Sequence, residues 1–274
     1  MTTPATDPGT EPAARYEVRD GVAIITLNRP RALNAVNADL STAVGEGLEA
    51  AAADPGVRVV MVTGTGRAFC AGADLKELAR QRPIHAHRHP EWGFAGLIRH
   101  WIDKPIIAAV NGSAMGGGTE IVLASDLVIA AETAVFGLPE VKLGLLAAAG
   151  GVVRLQRQLP LKRALELALT GDAIDAATAE QWGLVNRVVP ADQVLDVALN
   201  LATRVAANAP LSLQHTKRML YRTLSGVSDW NREWVGEDPW AVNEEAVRTV
   251  FSSRDALEGP RAFAEKRQPN WEGK

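Results

Sequence analysis

Apolar positions fall into two regimes along the chain. Up to about residue 160, short apolar runs alternate with glycine- and proline-bearing loops, and from Leu161 onward a helical period dominates. Tyr16–Arg19 and Val22–Leu27 read as short strands joined at Asp20-Gly21, a dipeptide suited to a tight hairpin turn. Pro30 breaks the second strand, so Asn28–Asn34 is expected as a loop. A helical pattern then runs from Asn37 to Asp54-Pro55-Gly56. Val57–Thr63 and Pro105–Val110 are apolar and β-branched enough for buried strands, and Leu127–Ala130 predicts another. Asp74 with Glu77 has capping-box spacing, which predicts a helix start there. Gln81–Pro90 is polar and proline-bearing, hence a surface loop, and Gly116–Ala124 opens a helix. Helices are expected over Leu161–Leu169, Ala176–Trp182, Ala191–Asn208 and Leu211–Leu224. A further helix should start at Asp238-Pro239 and run to about Phe251, and a last one covers Arg254–Arg267. The pattern describes an α/β core over 15–200, a helical C-terminal region over 201–274 and a flexible leader over 1–14.

Composition narrows the classes of function. A length of 274 residues allows a sizeable core, and a formal charge of −3 leaves no basic footprint for nucleic acid. No run of eighteen apolar residues occurs, which argues against a membrane-spanning helix. The leader has acidic residues and prolines and no apolar stretch, unlike a signal peptide. Cys70 is the single cysteine, so an internal disulfide is impossible and a reducing, cytoplasmic setting fits.

Three segments carry candidate chemistry. In Ala109–Glu120 a strand runs into Gly116-Gly117-Gly118 where a helix should begin. Glycine is a poor helix former, so close approach of a ligand atom to the first-turn N–H groups offers a reason for its use. Glu120 follows Gly117 by three residues and leans back toward the helix start, where the dipole should favour its ionised form. The plain alternative is tight helix–strand packing with a solvated glutamate. In Gly66–Lys76, Asp74 as N-cap puts the Ala73 N–H just outside a second helix start. Two such N–H groups could converge on one carbonyl oxygen, although an ordinary strand–loop–helix link would look the same. In Phe136–Gly144, Pro139 suits the first position of a short helix, with Glu140 in its first turn. Apolar neighbours there would raise the affinity of Glu140 for its proton, unless it is simply a surface glutamate.

In order and spacing these segments resemble the crotonase superfamily, the enoyl-CoA hydratase/isomerase family, from about Tyr16 to Arg267. Ile25–Asn34 resembles its early coenzyme A loop, Phe69–Leu75 its first oxyanion-hole loop, and Asn111-Gly112 with Gly116–Gly118 its second. The resemblance implies a ββα spiral core and oxyanion-hole N–H groups from Ala73 and Gly117. It implies Glu120 and Glu140 as the acid–base pair, and no metal or redox cofactor. It places Ala71, Asp74, Leu75 and Lys76 along the pantetheine channel and Arg31, Ala32 and Leu33 near the nucleotide. Phe263 and Lys266 match a C-terminal helix that closes the coenzyme A site, often on an adjacent subunit, in homotrimers that pair into hexamers.

The implied reaction is reversible syn hydration of a trans-2-enoyl-CoA to a 3-hydroxyacyl-CoA. A Δ3,Δ2-enoyl-CoA isomerase using Glu140 alone and a non-catalytic acyl-CoA binding protein are the alternatives. One departure stands out: Ala147 replaces the family's usual proline, and Ala148 a usual glycine near the expected water position. Elsewhere, His85, His87 and His89 alternate in a polar loop and read as exposed residues before metal ligands. Cys70 has no nearby histidine to activate it as a nucleophile. Gly64-Thr65-Gly66 lacks the third glycine of a dinucleotide loop, Phe69 standing in its place. Trp230, Trp234 and Trp240 read as packing residues before ligand contacts.

Overall fold

The structure is a computed structural model and describes residues 11–223, 240, 241, 244, 247, 248, 251–267, 269 and 270. Two sheets organise the N-terminal part. The larger has six strands: β1 (Ala14–Arg19), β2 (Val22–Leu27), β3 (Val59–Gly64), β5 (Ile106–Val110), β7 (Leu127–Ala131) and β10 (Arg187–Val189). They lie in that order, antiparallel between β1 and β2 and parallel thereafter. The smaller holds β4 (Ala68–Cys70), β6 (Ser113–Met115), β8 (Val135–Gly137) and β9 (Ile174–Asp175).

The chain alternates between the sheets. β3 leads to β4 and then α2 (Leu75–Ala79), and β5 leads to β6 and then α3 (Gly117–Ala124). β7 leads to β8 and then a 3₁₀ turn, Pro139–Leu143. Each pass is therefore one turn of a ββα spiral, and the helix starts after β4 and β6 fall side by side. The fold matches the expected α/β class.

Most expected elements are present. β2 and α6 (Ala176–Trp182) match to the residue. α1 (Ala38–Ala53) starts where Asn37 accepts a hydrogen bond from the Leu40 N–H, at 3.0 Å. β1 begins at Ala14, two residues before Tyr16, and Glu11 to Ala13 already contact Asn28. The division expected at residue 200 falls inside α7 (Val194–Ala206). That helix belongs to the core, since Val194, Ala198 and Ala202 recur every four residues, are buried, and pack against β3, β5 and β7. Leu224, the helix start at Asp238-Pro239, Trp230 and Trp234 lie outside the described residues.

The smaller sheet was not expected as such. Its strands have two or three residues, too few for an alternating pattern to appear. Also unforeseen is α4 (Gly151–Gln158), whereas α5 (Leu161–Thr170) and α8 (Pro210–Thr223) lie where helices were expected. The last helix, α9, spans Arg254–Ala264 and stops short of the expected Arg267, with Lys266 at φ +52° and Arg267 folded back onto Glu258 and Glu265. α9 lies against its own chain's Pro139–Leu143 turn, so tightly that a Cβ on Gly259 would stand 1.8 Å from the Leu143 carbonyl oxygen.

A buried polar knot ties α8 to the starts of β5 and β7 in the large sheet. Lys217 Nζ is 2.7 Å from Asp126 Oδ2 and donates to the Lys104 carbonyl, while Asp126 accepts from the Ile106 N–H and the Tyr221 hydroxyl. Removing one partner of a buried pair leaves an uncompensated charge. Lys217→Ala should therefore lower stability by about 3 kcal/mol, read from urea unfolding.

Candidate active site

The catalytic candidates converge where the second-sheet strands end. β4 gives way to a turn at Gly72 (φ +90°) and β6 to one at Gly116 (φ +54°), conformations that favour glycine. The two loops touch: a Cβ on Gly72 would lie 2.8 Å from the Met115 carbonyl oxygen and 3.1 Å from the Gly117 nitrogen. Ala73 pairs with Val36, where the Val36 N–H donates to Gly72 and the Asp74 N–H to Val36. The Ala73 N–H thus faces away from that ladder. Gly117 opens α3, where an N–H has no intrahelical acceptor. Among the described residues neither the Ala73 nor the Gly117 N–H finds an acceptor.

Both glutamates reach one cavity of about 580 Å³, which Ala71, Gly72, Ala73, Leu75, Gly116 and Gly117 also line. A larger hollow of about 810 Å³ beside α8 contains neither carboxyl. Glu120 is 3% exposed, and its Oε1 accepts the Gly151 N–H at 2.8 Å, at the start of α4. Burial is the main reason that its pKa is pushed up to about 8, and the charge of Glu140 adds to it. The N–H groups of Gly151 and Ala149 and the Arg154 guanidinium act in the opposite direction and lose. The expectation that the α3 dipole keeps Glu120 ionised is therefore corrected: loss of water outweighs the dipole. Glu140 sits in the Pro139–Leu143 turn, and burial pushes its pKa up to about 7. Its Oε2 is buried and, among the described residues, without a partner.

The three glycines divide their work. Only Gly116 stands beside a carboxyl, its hypothetical Cβ falling 2.9 Å from Glu140 Oε1. A Cβ on Gly118 would meet the Cys70 carbonyl oxygen at 2.1 Å, so that glycine serves the packing of α3 on β4. Cys70 is buried there, its thiol donates to the Asn34 carbonyl, and burial pushes its pKa up to about 12. It is no poised nucleophile.

The other expected contacts separate. Ala71, Ala73 and Leu75 line the cavity, whereas Asp74 does not. Asp74 is spent within the chain: it caps α2 through the Lys76 N–H at 3.1 Å and pairs with Arg29 at 2.9 Å. Its carboxylate is thus engaged by the chain itself and is not part of the cavity lining. Glu77 completes no capping box and pairs with Arg80 and Arg82 instead. Lys76, Arg31, Ala32 and Leu33 lie outside the cavity lining, although the Leu33 carbonyl accepts from the Ala71 N–H at 3.0 Å. Phe263 and Lys266 also lie outside it and are exposed.

Several lining residues were not anticipated. Phe94 and Arg99 follow the expected surface loop, and Trp240, read as a packing residue before a ligand contact, also lines the cavity. The histidines diverge, His85 lining the cavity, His87 pairing with Asp39, and His89 pairing with Glu91 and stacking on Trp92. Gly151 and Arg154 had a readable signal, a Gly150-Gly151 pair ahead of the amphipathic run through Gln158. Ala148 lines the cavity wall, as does Ala149.

Two carboxyls that hold protons near neutrality, beside two acceptor-less N–H groups, can move a proton and hold developing negative charge. The raised pKa values also bear on stability. A glutamate whose folded pKa exceeds its unfolded value weakens the fold progressively as pH rises between the two, and not below them. Glu120→Gln should thus raise the melting temperature relative to wild type at pH 9 by about 3 °C more than at pH 5, measured by calorimetry.

With this geometry stand the relatives. The enoyl-CoA hydratase/isomerase family profile matches residues 17–274. A protein named carnitinyl-CoA dehydratase from Salmonella paratyphi A is 43% identical over 256 residues, covering 91% of this chain and 94% of its own. The crystal structure titled carnitinyl-CoA hydratase from Mycobacterium avium shares 53% identity at a TM-score of 0.90, covering 97% of this chain and all of that one. The enoyl-CoA hydratase structure from Mycobacterium tuberculosis H37Rv shares 42% identity at a TM-score of 0.74, covering 96% of this chain and all of its own. The chain belongs to the enoyl-CoA hydratase/isomerase family, the crotonase superfamily, as an enzyme of the lyase type.

Proposed function

We propose that this enzyme catalyses the reversible syn hydration of a trans-2-enoyl-CoA to the 3-hydroxyacyl-CoA. The observation that supports the reading is one cavity shared by Glu120, Glu140 and the N–H groups of Ala73 and Gly117. Those N–H groups hold the thioester oxygen as it gains negative charge, which leaves the β-carbon electrophilic. Glu120, ionised, takes a proton from water as the water oxygen bonds to the β-carbon. Glu140, protonated, gives its proton to the α-carbon. Burial raises the proton affinity of both and the charge of one opposes ionisation of the other, so the pair shares one proton near neutrality, and its place sets the direction of the reaction. Dehydration starts from the opposite placement. One C–O and one C–H bond form, the C=C π bond and one O–H bond are consumed, and no electrons leave. The reaction as written needs neither metal nor redox cofactor.

The remaining roles follow the same reading. Arg31, Ala32 and Leu33 take the nucleotide end of coenzyme A, with Lys76 nearby, and Ala71 and Leu75 take the pantetheine arm. Leu33 adjoins Ala71, and α9 adjoins α2, which supports Phe263 and Lys266 as closing groups. Asp74 positions the loop through Arg29 and the α2 cap. Exposed Leu211, Leu220, Leu257 and Phe263 support a homotrimer or hexamer, with 201–274 contributing the contacts. Among the described residues no helix is long and apolar enough to cross a membrane, which agrees with a cytoplasmic setting. The relatives' printed names raise carnitinyl-CoA, whose acyl group ends in a quaternary ammonium, as a narrower candidate, and the charge of the cavity rim weighs against it.

Loss of enoyl-thioester absorbance tests the reading. Glu120→Gln and Glu140→Gln should each lower kcat by about 10²–10⁴-fold. The kcat/KM profile should be bell-shaped, with a maximum near neutral pH. Below it both carboxyls are protonated and no base remains, and above it both are ionised and no acid remains. Full activity of the double variant defeats the proposal. If Glu120→Gln keeps most activity on a 3-enoyl-CoA, the enzyme is an isomerase, and tight binding without turnover marks a carrier.

A further inference from the structure

The cavity has a polar rim that the hydration chemistry does not use: the charged Arg82, Arg99 and Glu244, with His85. Arg99 is central to it. Its guanidinium carbon lies 4.2 Å above the centre of the Trp240 ring, and its Nη2 donates to Glu244 Oε1 at 3.1 Å. The same indole lies 5.7 Å from the Arg154 guanidinium, which is buried and acts on Glu120. Arg99 is therefore linked to the reacting carboxyl through Trp240 and Arg154. Phe94, five residues before Arg99 in the chain, packs against Gly117, where a Cβ would lie 2.3 Å from the ring. This rim lines the same cavity as the two carboxyls.

We infer that the Arg99 rim reads the charge of the acyl tail, accepting a carboxylate or similar hydrogen-bond acceptor and turning away a quaternary ammonium. The inference rests on the proposed acyl-CoA reading of the cavity and narrows its substrate class. An aromatic face and a carboxylate are what a quaternary ammonium needs. Here the Trp240 face already carries Arg99, and Glu244 already accepts from it. The acid next to Arg82 is Glu77, at 3.5 Å, and it does not line the cavity. Desolvation of the His85 ring and the nearby Arg99 hold its pKa below the ordinary value, which favours its neutral form, although the residue is exposed. A guanidinium has five N–H donors, and Glu244 takes only one from Arg99. The rim thus offers donors, with its acid already engaged.

Calorimetric titration with three saturated, unreactive thioesters tests this: glutaryl-CoA, butyryl-CoA and 4-trimethylammoniobutyryl-CoA. The wild-type enzyme should bind the carboxylate about tenfold more tightly than the ammonium, with butyryl-CoA between them. Arg99→Gln should shrink that ratio to about threefold or less, and Arg99→Lys should keep more of it. Glu244→Gln, on an exposed side chain, should move the ratio the other way by freeing Arg99 for the ligand. A wild-type preference for the ammonium, or a ratio untouched by Arg99→Gln, overturns the inference. An equal loss for all three thioesters in Arg99→Gln also overturns it, since the arginine then serves the coenzyme phosphates. None of these readings needs turnover. A charge preference without hydration on any enoyl-CoA would defeat the hydratase proposal alone.

Discussion

Two carboxyls removed from water in one cavity are the constraint around which the site is arranged. An ionised glutamate is costly in such surroundings, and two of them cost more because each repels the other. The fold answers with partial compensation: the Gly151 and Ala149 N–H groups and Arg154 act on Glu120, while Glu140 Oε2 has no partner among the described residues. The compensation is incomplete, and proton affinity near neutrality follows from that shortfall. A fully satisfied Glu120 would be a permanent anion and a poor partner for proton exchange near pH 7.

The spiral supplies the geometry that the acids need. Because β4 and β6 pair in parallel, the turns that follow them end at the same edge of the smaller sheet. Contact between Gly72 and the Met115–Gly117 backbone then fixes the spacing between the Ala73 and Gly117 N–H groups. The Pro139–Leu143 turn follows β8, the next strand of the same sheet, and brings Glu140 to Gly116. One short sheet thereby positions both donors and one acid. The second acid follows from α3, whose start is fixed by the same contact.

How much of this the sequence disclosed depends on the length of each signal. β2, α1 and α6 were legible because glycine, proline or a capping side chain bounds a pattern of six residues or more. The Ala73, Gly117, Glu120 and Glu140 set was legible as residue types at telling places, though nothing local could say that they meet. The smaller sheet was illegible because strands such as Ala68–Cys70 are too short to show a period. The proton affinity of Glu120 was misjudged for a related reason. A helix dipole can be read from position along the chain, whereas desolvation depends on Ala147, Gly151 and other distant residues folding over the carboxyl. The place of Trp240 in the cavity was illegible likewise, because its position beside Arg99 depends on a contact 141 positions apart (240 − 99).

Arg154 joins these levels. Its Nη2 donates to the Ile98 carbonyl at 2.8 Å, its charge lowers the proton affinity of Glu120, and its guanidinium faces Trp240. Ile98 adjoins Arg99, so the segment that carries the charged rim is pinned by the same cation that tunes the catalytic candidate. In so dry a setting a cation is weakly screened, and a shift in its position changes its effect on both neighbours. Arg99 and Arg154 share the Trp240 ring, so the acyl rim and the carboxyl pair are joined by one chain of contacts.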